Sequence, residues 1–520
     1  MNKQELPNDI EHLKSLVLRL YDEKELFRKR AAYLEAWIFA RKTEKKAALQ
    51  DPPQQLMLFN EAEVHADEPE EEVSYETEAK KDSPVKKRGH RKPLPAELPR
   101  EDIIIDLEED QKKCACGAEL QVIRKEISEK LCVVPKRVYV KRWIRLIYAC
   151  PHCEGSEDEG ASVKIAPMPK QLIPQGIVTP ELVAASIIDK FCDSLPLYRQ
   201  SAIYKRIGID ISRGTLSRWV IMAAEKCKPL YDLLYKDMIT GHVMHMDETN
   251  VQVLKEDNRA DHLPSVMWVM CGGNKGHVRY FHYNPSHAGA VAGELLKDFN
   301  GYLMTDGLKA YNSVGEREGI THVSCLVHMR RRFATVVKQA GRKRKKGVSD
   351  HFLELVAKLY HNENRLREHL NHQQLSVEEF LIKRKNEQVP ILEKIKSLLE
   401  DNIKLASPKS TLGDALRYAL SHWERMVRYL DCAELTPDNN EAENAIRPFA
   451  VGRKNWLFAG SPRGAEASAL FYTLIESAKA NDVNVHDYLI YVLRSIAEAD
   501  TTDKIEALLP WNCKDKLKHE

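Results

Sequence analysis

The stretch from residue 241 to residue 254 constrains the fold of this chain more than any other segment. Its side chains alternate with period two, which predicts a β-strand. One face of that strand would carry Val243, His245, Asp247, Thr249, Val251 and Val253. An acidic residue on an apolar strand is costly to bury unless it is paired or holds a cation. Asp247 is therefore the first candidate metal ligand.

A second short apolar strand lies within residues 301–308 and ends at Asp306. We predict that the two strands lie side by side, so that both aspartates reach one site. A single carboxylate is more often a surface or capping residue than a ligand. Two carboxylates on neighbouring strands favour a site for divalent metal, because hard cations take oxygen ligands.

A third carboxylate, Glu443, lies near the start of a predicted helix. Glu441 is two residues away, and on a helix the two side chains point to different sides, so only one can face the metal. Glu443 shares its face with Arg447 and follows Asn439 and Asn440, which can cap the helix. We therefore choose Glu443 as the third ligand.

The order of predicted elements indicates the fold. Strands at 265–271 and 277–283 follow the first strand, and a helix at 288–299 leads to the strand ending at Asp306. Another helix and a strand at 321–325 complete the order β-β-β-α-β-α-β, which is that of an RNase H-like mixed sheet. The chain from Asp306 to Glu443 is far longer than one crossover needs, so we predict a helical insertion at about 330–436.

Three converging carboxylates suit phosphodiester cleavage and transesterification. Two Mg²⁺ or Mn²⁺ ions about 4 Å apart activate the attacking oxygen and stabilise the leaving oxygen. Asp247 would bridge both ions, while Asp306 and Glu443 would each complete one site.

The net charge of +2 gives no overall indication of nucleic acid, so local basic patches carry that argument. Residues 330–346 contain no acidic side chain. A second basic run, which includes Trp456, follows Glu443. The candidate DNA-binding residues in these two runs are Arg330, Arg331, Arg332, Arg342, Lys343, Arg344, Arg447, Arg453 and Lys454.

Five smaller segments are predicted outside the catalytic domain, which we place at 237–490. Apolar heptads at 8–42 predict a coiled coil within 1–48, although a single amphipathic helix fits the same pattern. Residues 49–100 have the composition of a disordered linker, acidic and then basic. The basic end suits a phosphate backbone or a solvated linker equally. Residues 491–520 form a C-terminal tail.

Residues 101–165 predict a zinc-binding module that resembles a zinc ribbon. Two cysteine pairs bracket a β-like segment at 137–149, and they are Cys114, Cys116, Cys150 and Cys153. Cys132 and His152 remain alternative ligands. Four thiolates leave no open coordination position, so the ion would be structural. The C-x-x-H pair formed by Cys325 and His328, near His322, is more often structural than metal-binding.

Residues 166–236 predict a helical region. Thr179 and Pro180 mark a helix start. Residues 197–208, a turn and a helix from Arg213 follow with helix-turn-helix spacing, which would present Arg213 and Arg218 to DNA. A plain helical spacer fits the same pattern.

Taken together, these segments resemble the transposases of the insertion-sequence sixty-six family, a bacterial DDE group. Residues 39–45 are similar to that family's FGRKSEK-like signature, except that Ala40 replaces a frequent glycine. Cys132 stands where many members have an acidic residue, which leaves the zinc ligand set open. The other matching motifs follow in the family's order, at 55–61, 91–95, 246–249, 305–307, 325–331, 439–448, 452–460 and 508–512.

The resemblance implies a DDE triad of Asp247, Asp306 and Glu443, and DNA transposition with Mg²⁺. It implies cleavage at terminal inverted repeats, strand transfer into target DNA, and small accessory proteins. The coiled coil would support a dimer or a higher oligomer. The alternatives are a metal-dependent nuclease without strand transfer and a non-catalytic DNA-binding regulator of transposition. With no apolar run long enough for a membrane span and scattered cysteines, we expect a cytoplasmic, nucleoid-associated protein.

Overall fold

The computed structural model describes residues 138–149, 163–340, 346–407 and 409–517. The predicted coiled coil, the linker and most of the predicted zinc module lie outside the described residues. So do seven of the candidate site residues, which are Cys114, Cys116, Cys150, Cys153, Arg342, Lys343 and Arg344.

A two-stranded antiparallel sheet contains β1 (Ile147–Ala149) and β2 (Val163–Ile165). The sequence predicted a strand over 137–149, but of the described residues in that segment only Ile147–Ala149 are in a strand. A strand requires a partner for its backbone hydrogen bonds, and β2 is only three residues long. The prediction of a longer strand is therefore wrong for residues 138–146.

Three helices precede the main sheet: α1 (Pro180–Phe191), α2 (Leu197–Arg206) and α3 (Arg213–Ile239). As predicted, Thr179 caps α1, with its hydroxyl accepting from Leu182 N–H, and Pro180 begins the helix. Gly208 occupies the left-handed region, with φ of 85°, in the turn between α2 and α3.

Helix α3 is 27 residues long and continues well beyond the segment that the sequence suggested for DNA contact. Its apolar side chains, among them Leu216, Val220 and Leu234, are buried in the same hydrophobic core as the main sheet. This burial explains the length of the helix, because tertiary packing stabilises helices more than local propensity does.

The elements of the main sheet follow in the predicted order. They are β3 (Val243–Val253), β4 (Pro264–Gly272), β5 (Val278–Asn284), α4 (Gly289–Leu295), β6 (Gly301–Thr305), a 3₁₀ turn (Lys309–Tyr311), α5 (Asn312–Gly315) and β7 (Ile320–Ser324). Their order across the sheet is β5-β4-β3-β6-β7. The β3–β4 and β4–β5 pairs are antiparallel, whereas β3–β6 and β6–β7 are parallel, so the sheet is mixed.

Strand β3 lies at the centre of this sheet and is buried on both faces over Val243–Met246. The sequence predicted only one buried face. Beyond Asn250 the expected alternation holds, since Val251 and Val253 are buried and Gln252 is exposed. The difference arises because elements of both hydrophobic clusters cover the first half of the strand, with Met244 in one and Val243 in the other.

The predicted insertion is helical. It contains α6 (Leu326–Ala340), α7 (Val348–Asn371), α8 (Val377–Ile403), α9 (Thr411–Val427) and a 3₁₀ turn (Arg428–Asp431). Its core includes Phe333 stacked on Phe352 and reaches the sheet at Met304 and Val323. The insertion therefore packs directly on β6, which leads to Asp306, and on β7, the next strand of the sheet.

The remaining elements are α10 (Asn440–Trp456), β8 (Phe458–Ala459), α11 (Pro462–Ala480), α12 (Val485–Ser495), α13 (Thr502–Glu506) and α14 (Pro510–Leu517). Much of the segment expected to be a C-terminal tail is thus helical, and Leu508, Leu509 and Cys513 join the main core. Among the described helices, none is both long enough and apolar enough to cross a membrane.

Helix α11 covers the outer edge of β5. Two of its side chains, Thr473 and Ser477, accept hydrogen bonds from the backbone N–H groups of Phe281 and Arg279 at 2.9 and 3.0 Å. Asn481, the C-cap residue of the helix, accepts one from His277 N–H at 3.2 Å. An edge strand otherwise presents a row of unpaired backbone groups. Polar residues spaced one helical turn apart therefore take the place of a further strand.

Candidate active site

Asp247 and Asp306 lie at the same level of two adjacent parallel strands. The pairing of β3 with β6 joins Val243 to Tyr302 and His245 to Met304. Asp247 is two residues beyond His245, and Asp306 is two residues beyond Met304. Residues two apart share a face of a strand, so this register brings both carboxylates to one place at the end of the pairing.

Glu443 lies in the first turn of α10 and approaches the two aspartates from that helix. Its side chain is buried, and its electrostatic effect is felt by both Asp247 and Asp306. Glu441, by contrast, is exposed and forms an ion pair with Arg279 at 3.2 Å. The two glutamates thus point to different sides of the helix, with Glu443 beside the aspartates.

The cluster carries excess negative charge. Burial raises the pKa of Asp247 well above its usual range, and Glu248, Asp306 and Glu443 raise it further. Burial likewise raises the pKa of Asp306 to about 7, with further increases from Glu248 and Glu443, although a hydrogen bond from Leu308 N–H opposes them. Buried like charges raise one another's pKa in this way because each disfavours ionisation of the next.

Glu248 is a fourth carboxylate that the sequence argument did not select. Tyr311 donates its hydroxyl to one oxygen of Glu248, and His287 Nε2 lies 3.3 Å from the other. The hydrogen bond to Glu248 raises the pKa of His287. Glu248 directly follows Asp247 in the sequence, but period-two alternation predicts that the two side chains lie on opposite faces of the strand.

A face of α6 holds the start of α10. Cys325, directly before α6, accepts a hydrogen bond through Sγ from Asn439 N–H at 3.2 Å. One turn later, His328 Nδ1 lies 3.7 Å from Glu443 Oε1, and a further turn on, Arg331 Nη2 lies 3.4 Å from Glu443 Oε2. Burial and then Arg331 lower the pKa of His328 to about 3, so the histidine is neutral. The C-x-x-H pair therefore orients the glutamate helix.

Asn439 has a different role from the predicted one. It occupies the N-cap position of α10, but its side chain makes no capping hydrogen bond. The amide oxygen instead lies 3.1 Å from His245 Nδ1, and the amide nitrogen donates to Met246 O at 2.8 Å. The side chain thus ties the helix that carries Glu443 to the strand that carries Asp247.

His322 supports the end of β6. Its Nε2 lies 2.8 Å from Thr305 Oγ1, and that hydroxyl donates to Asp306 O. The imidazole is therefore the donor to Thr305, since the hydroxyl proton is already used. Burial, followed by Arg425 and Arg428, lowers the pKa of His322 to about 3.

The insertion also contacts the turn after Asp306. A Cβ atom on Gly307 would lie 2.3 Å from Tyr418 Oη and 2.8 Å from His422 Nε2. The Tyr418 ring stacks on His422, and the Arg332 guanidinium lies 3.9 Å from its centroid. A side chain at position 307 would therefore require Tyr418 and His422 of α9 to shift.

The basic residues predicted to contact DNA lie in several places. Arg330 is exposed, Arg331 pairs with Glu443, and Arg332 pairs with Asp414 at 2.7 Å. On α10, the Nε atom of Arg447 is buried without a hydrogen-bond partner among the described residues. Lys454 is exposed, and Arg453 donates to Thr249 at 3.1 Å. Arg213 and Arg218 are exposed on the first turns of α3, separate from the elements that carry the carboxylates.

The residues present fit a divalent cation. Asp247, Asp306 and Glu443 offer carboxylate oxygens, the ligands that Mg²⁺ and Mn²⁺ prefer. Burial first and then the neighbouring carboxylates raise the pKa of both aspartates, so their charged forms are disfavoured without a positive charge beside them. A bound cation would supply that charge.

Four models of one protein family match successive parts of this chain. The model described as "Transposase IS66 family" matches residues 175–467, and "IS66 C-terminal element" matches residues 473–511. "Zinc-finger binding domain of transposase IS66" matches residues 111–154, which supports the predicted zinc, and "Transposase C of IS166 homeodomain" matches residues 26–103.

Two relatives from Sinorhizobium fredii (strain NBRC 101917 / NGR234) match over most of their length. "Uncharacterized protein y4jD" is 32% identical over 99% of this chain and 98% of its own. "Uncharacterized protein y4hP" is 30% identical over 91% of this chain and 86% of its own. With the family model that spans the sheet and the insertion, these matches lead to one conclusion: the chain belongs to the IS66 family of transposases.

Proposed function

We propose that this transposase cuts DNA at the terminal inverted repeats of its element and joins the freed 3′ ends to target DNA, with Asp247, Asp306 and Glu443 as its catalytic triad. The register that brings Asp247 and Asp306 to the same level of adjacent parallel strands carries the proposal. The element order and the mixed sheet support an RNase H-like assignment for this domain.

The three carboxylates would hold two Mg²⁺ or Mn²⁺ ions, with Asp247 shared between them. When bound, such ions activate the attacking oxygen and stabilise the leaving oxygen of a phosphodiester. The chain's own part is to fix the three ligands. Asn439 joins the helix of Glu443 to the strand of Asp247, and Thr305 with His322 supports the backbone at Asp306.

Basic side chains near these carboxylates would bind the DNA backbone. Arg447, Arg453 and Lys454 lie on the helix that carries Glu443, and Arg330 is exposed on α6. Lys and Arg contacts of this kind position DNA without reading its sequence. We assign sequence recognition to Arg213 and Arg218 at the start of α3, in a helix-turn-helix role.

The remaining parts of the proposal concern the modules before the catalytic domain. The four cysteines would hold a structural zinc ion, and the coiled coil would pair two chains so that two element ends are cut together. Small accessory proteins of the same element would complete the complex. Mass photometry of the full chain with and without residues 1–48 tests the pairing role.

Cleavage of a supercoiled donor plasmid tests the triad. Wild type and the variants Glu443→Gln and Glu441→Gln are compared with terminal-repeat DNA and Mg²⁺. These two substitutions remove the same charge from the same helix turn, but only Glu443 faces the aspartates. We expect repeat-end cleavage to vanish in Glu443→Gln and persist in Glu441→Gln, while both variants still bind the DNA. Equal cleavage by both variants would contradict the triad.

The carboxylate cluster equally suits cleavage without strand transfer, which is our second candidate function. Precleaved terminal-repeat DNA with a free 3′-hydroxyl and a target plasmid separates the two. Joined products that require Asp306 support transposition, whereas cleavage without joining supports a nuclease. DNA binding with neither activity, in the presence of any accessory proteins, would favour the regulator.

A further inference from the structure

We propose that His242, Cys432 and Glu434 form a zinc site at the start of β3, apart from the carboxylate cluster. One ligand atom from each of the three residues lies within 4.8 Å of the others. Nothing in the sequence brings them together, because His242 lies far from Cys432 in the chain. The fold places the entry to the central strand beside the exit from the insertion.

His242 is held where the parallel pairing begins. Its carbonyl accepts a hydrogen bond from Tyr302 N–H at 2.9 Å, and its ring meets the Tyr302 ring edge-on at 5.3 Å. Gly301 approaches so closely that a Cβ atom there would lie 2.3 Å from the His242 carbonyl oxygen. The backbone of this candidate ligand is therefore fixed by the sheet.

The loop that carries the other two ligands is fixed from the inside. Arg384, which is fully buried, donates to Cys432 O at 2.9 Å and to Leu435 O at 2.6 Å. Arg367 donates to Ala433 O at 3.1 Å. Glu363 holds both guanidinium groups through charged hydrogen bonds. The loop is thus organised before any ion binds, which lowers the entropy lost on binding.

The exposure of the three residues also suits a ligand role. Cys432 is buried while His242 and Glu434 are exposed, so an ion can enter from solvent.

The donor set selects the metal. One thiolate, one imidazole and one carboxylate are the ligand types of zinc, and Mg²⁺ takes oxygen donors instead. Three protein ligands leave the fourth tetrahedral position to water. The site lies roughly 16 Å from Asp247, at about 3.3 Å for each of the five intervening strand steps. It therefore cannot share an ion with the carboxylates, and its role is to fasten the insertion exit to the sheet.

Zinc content of the purified full chain tests the site. Wild type is compared with His242→Gln and Cys432→Ser, and with Cys192→Ser as a control thiol that lies in none of the described metal-ligand groups. Because the zinc module predicted at 101–165 adds its own ion, Cys150→Ser/Cys153→Ser provides the reference for that module. Bound zinc is measured by mass spectrometry after dialysis, and Co²⁺ replacement reports thiolate ligation by its charge-transfer absorption.

We expect His242→Gln and Cys432→Ser each to hold one equivalent of zinc less than wild type. Each variant should also lose the part of the Co²⁺ charge-transfer band that this site contributes. The control should match wild type, and the double cysteine variant should retain the Cys432-dependent part. Since His242 is exposed, its replacement leaves the fold intact, which circular dichroism verifies. Equal zinc in wild type and both ligand variants would overturn the proposal, as would loss of all zinc with Cys150 and Cys153.

Discussion

The guanidinium of Arg331 lies 3.4 Å from the carboxylate of Glu443, and both side chains are largely buried. Arg331 was selected from the sequence for DNA contact, yet in the structure it balances part of the negative charge of the carboxylate cluster. A residue that pairs with a proposed metal ligand must compete with the metal for it. We therefore expect the pair to link the free energy of unfolding to metal binding at Glu443.

Replacing Arg331 should make the free energy of unfolding depend more strongly on Mg²⁺. We expect Arg331→Gln to lower the free energy of unfolding in EDTA by about 1–3 kcal/mol, because Glu443 is left buried with a charge less well paired. Mg²⁺ should reduce that loss, since the ion replaces the missing positive charge. Urea unfolding with and without Mg²⁺ measures both effects.

Arg332→Gln is the matched control. Its partner Asp414 is exposed, and exposed ion pairs contribute only about 0–1 kcal/mol. A Mg²⁺-independent loss of the same size in both variants would show that Arg331 has no relation to the metal site.

Gly307 should be intolerant of any side chain. We expect Gly307→Ala to destabilise the protein by about 1–3 kcal/mol, because the new methyl group overlaps Tyr418 and the packed ring cannot move freely. In a Tyr418→Ala background, Gly307→Ala should lower the free energy of unfolding by much less. Thermal unfolding of the four proteins gives the coupling free energy between the two positions.

Gly460→Ala provides the comparison, since a Cβ atom there would meet nothing within 4 Å. Equal destabilisation at positions 307 and 460, or costs at 307 that do not depend on Tyr418, would refute the steric explanation.

His322 should make the protein sensitive to acid. Burial lowers the pKa of His322 to about 3, below the ordinary value of 6.5, so the unfolded chain binds the proton more readily between these pH values. Stability from this residue is present above pH 6.5 and is lost as the pH falls towards 3. Going from pH 8 to pH 5 should cost roughly 2 kcal/mol.

His322→Gln should remove that part of the acid sensitivity, while His361→Gln, an exposed position, should leave it unchanged. Denaturant unfolding at pH 8 and pH 5 gives the difference. An unchanged pH dependence in His322→Gln would mean that the buried imidazole is not neutral in the way the structure indicates.

Arg384 should be the most sensitive position of the insertion. Its guanidinium is fully buried, binds both oxygens of Glu363 and reaches the carbonyls of Tyr429, Cys432 and Leu435. Arg384→Lys should cost about 3–5 kcal/mol, because an ammonium group cannot reproduce the planar set of donors and leaves buried groups unpaired.

The matched substitution is Arg365→Lys, at an exposed ion pair with Glu387. We expect a change below about 1 kcal/mol there. Comparable losses at the two positions, measured by urea unfolding, would argue against the central role of the buried guanidinium.

Much of the fold was predictable because periodicity is local. Alternation of apolar residues identified the strands of the main sheet, and their order placed Asp247 and Asp306 on neighbouring strands. The contacts that assemble the site are not local. His245 and Asn439 are 194 residues apart in the chain, and no pattern within either segment indicates that they meet.

Local sequence patterns also could not predict the roles of Glu248 and Asn439 or the length of helix α3. Period two placed Glu248 on the face opposite Asp247, yet its charge still acts on both aspartates. Asn439 is the residue type that usually caps a helix, but its side chain makes no capping hydrogen bond. It donates instead to Met246 O on β3, a strand that is distant in the sequence. Helix α3 extends because of the core it meets, and that core is formed by residues throughout the chain.

Three polar side chains cover the edge of β5. Their loss has a consequence for truncated copies of this protein. A stop codon before residue 473 would remove Thr473, Ser477 and Asn481 and leave the N–H groups of that strand bare. Such an edge recruits strands from other copies. We therefore expect copies truncated before residue 473 to aggregate through this edge.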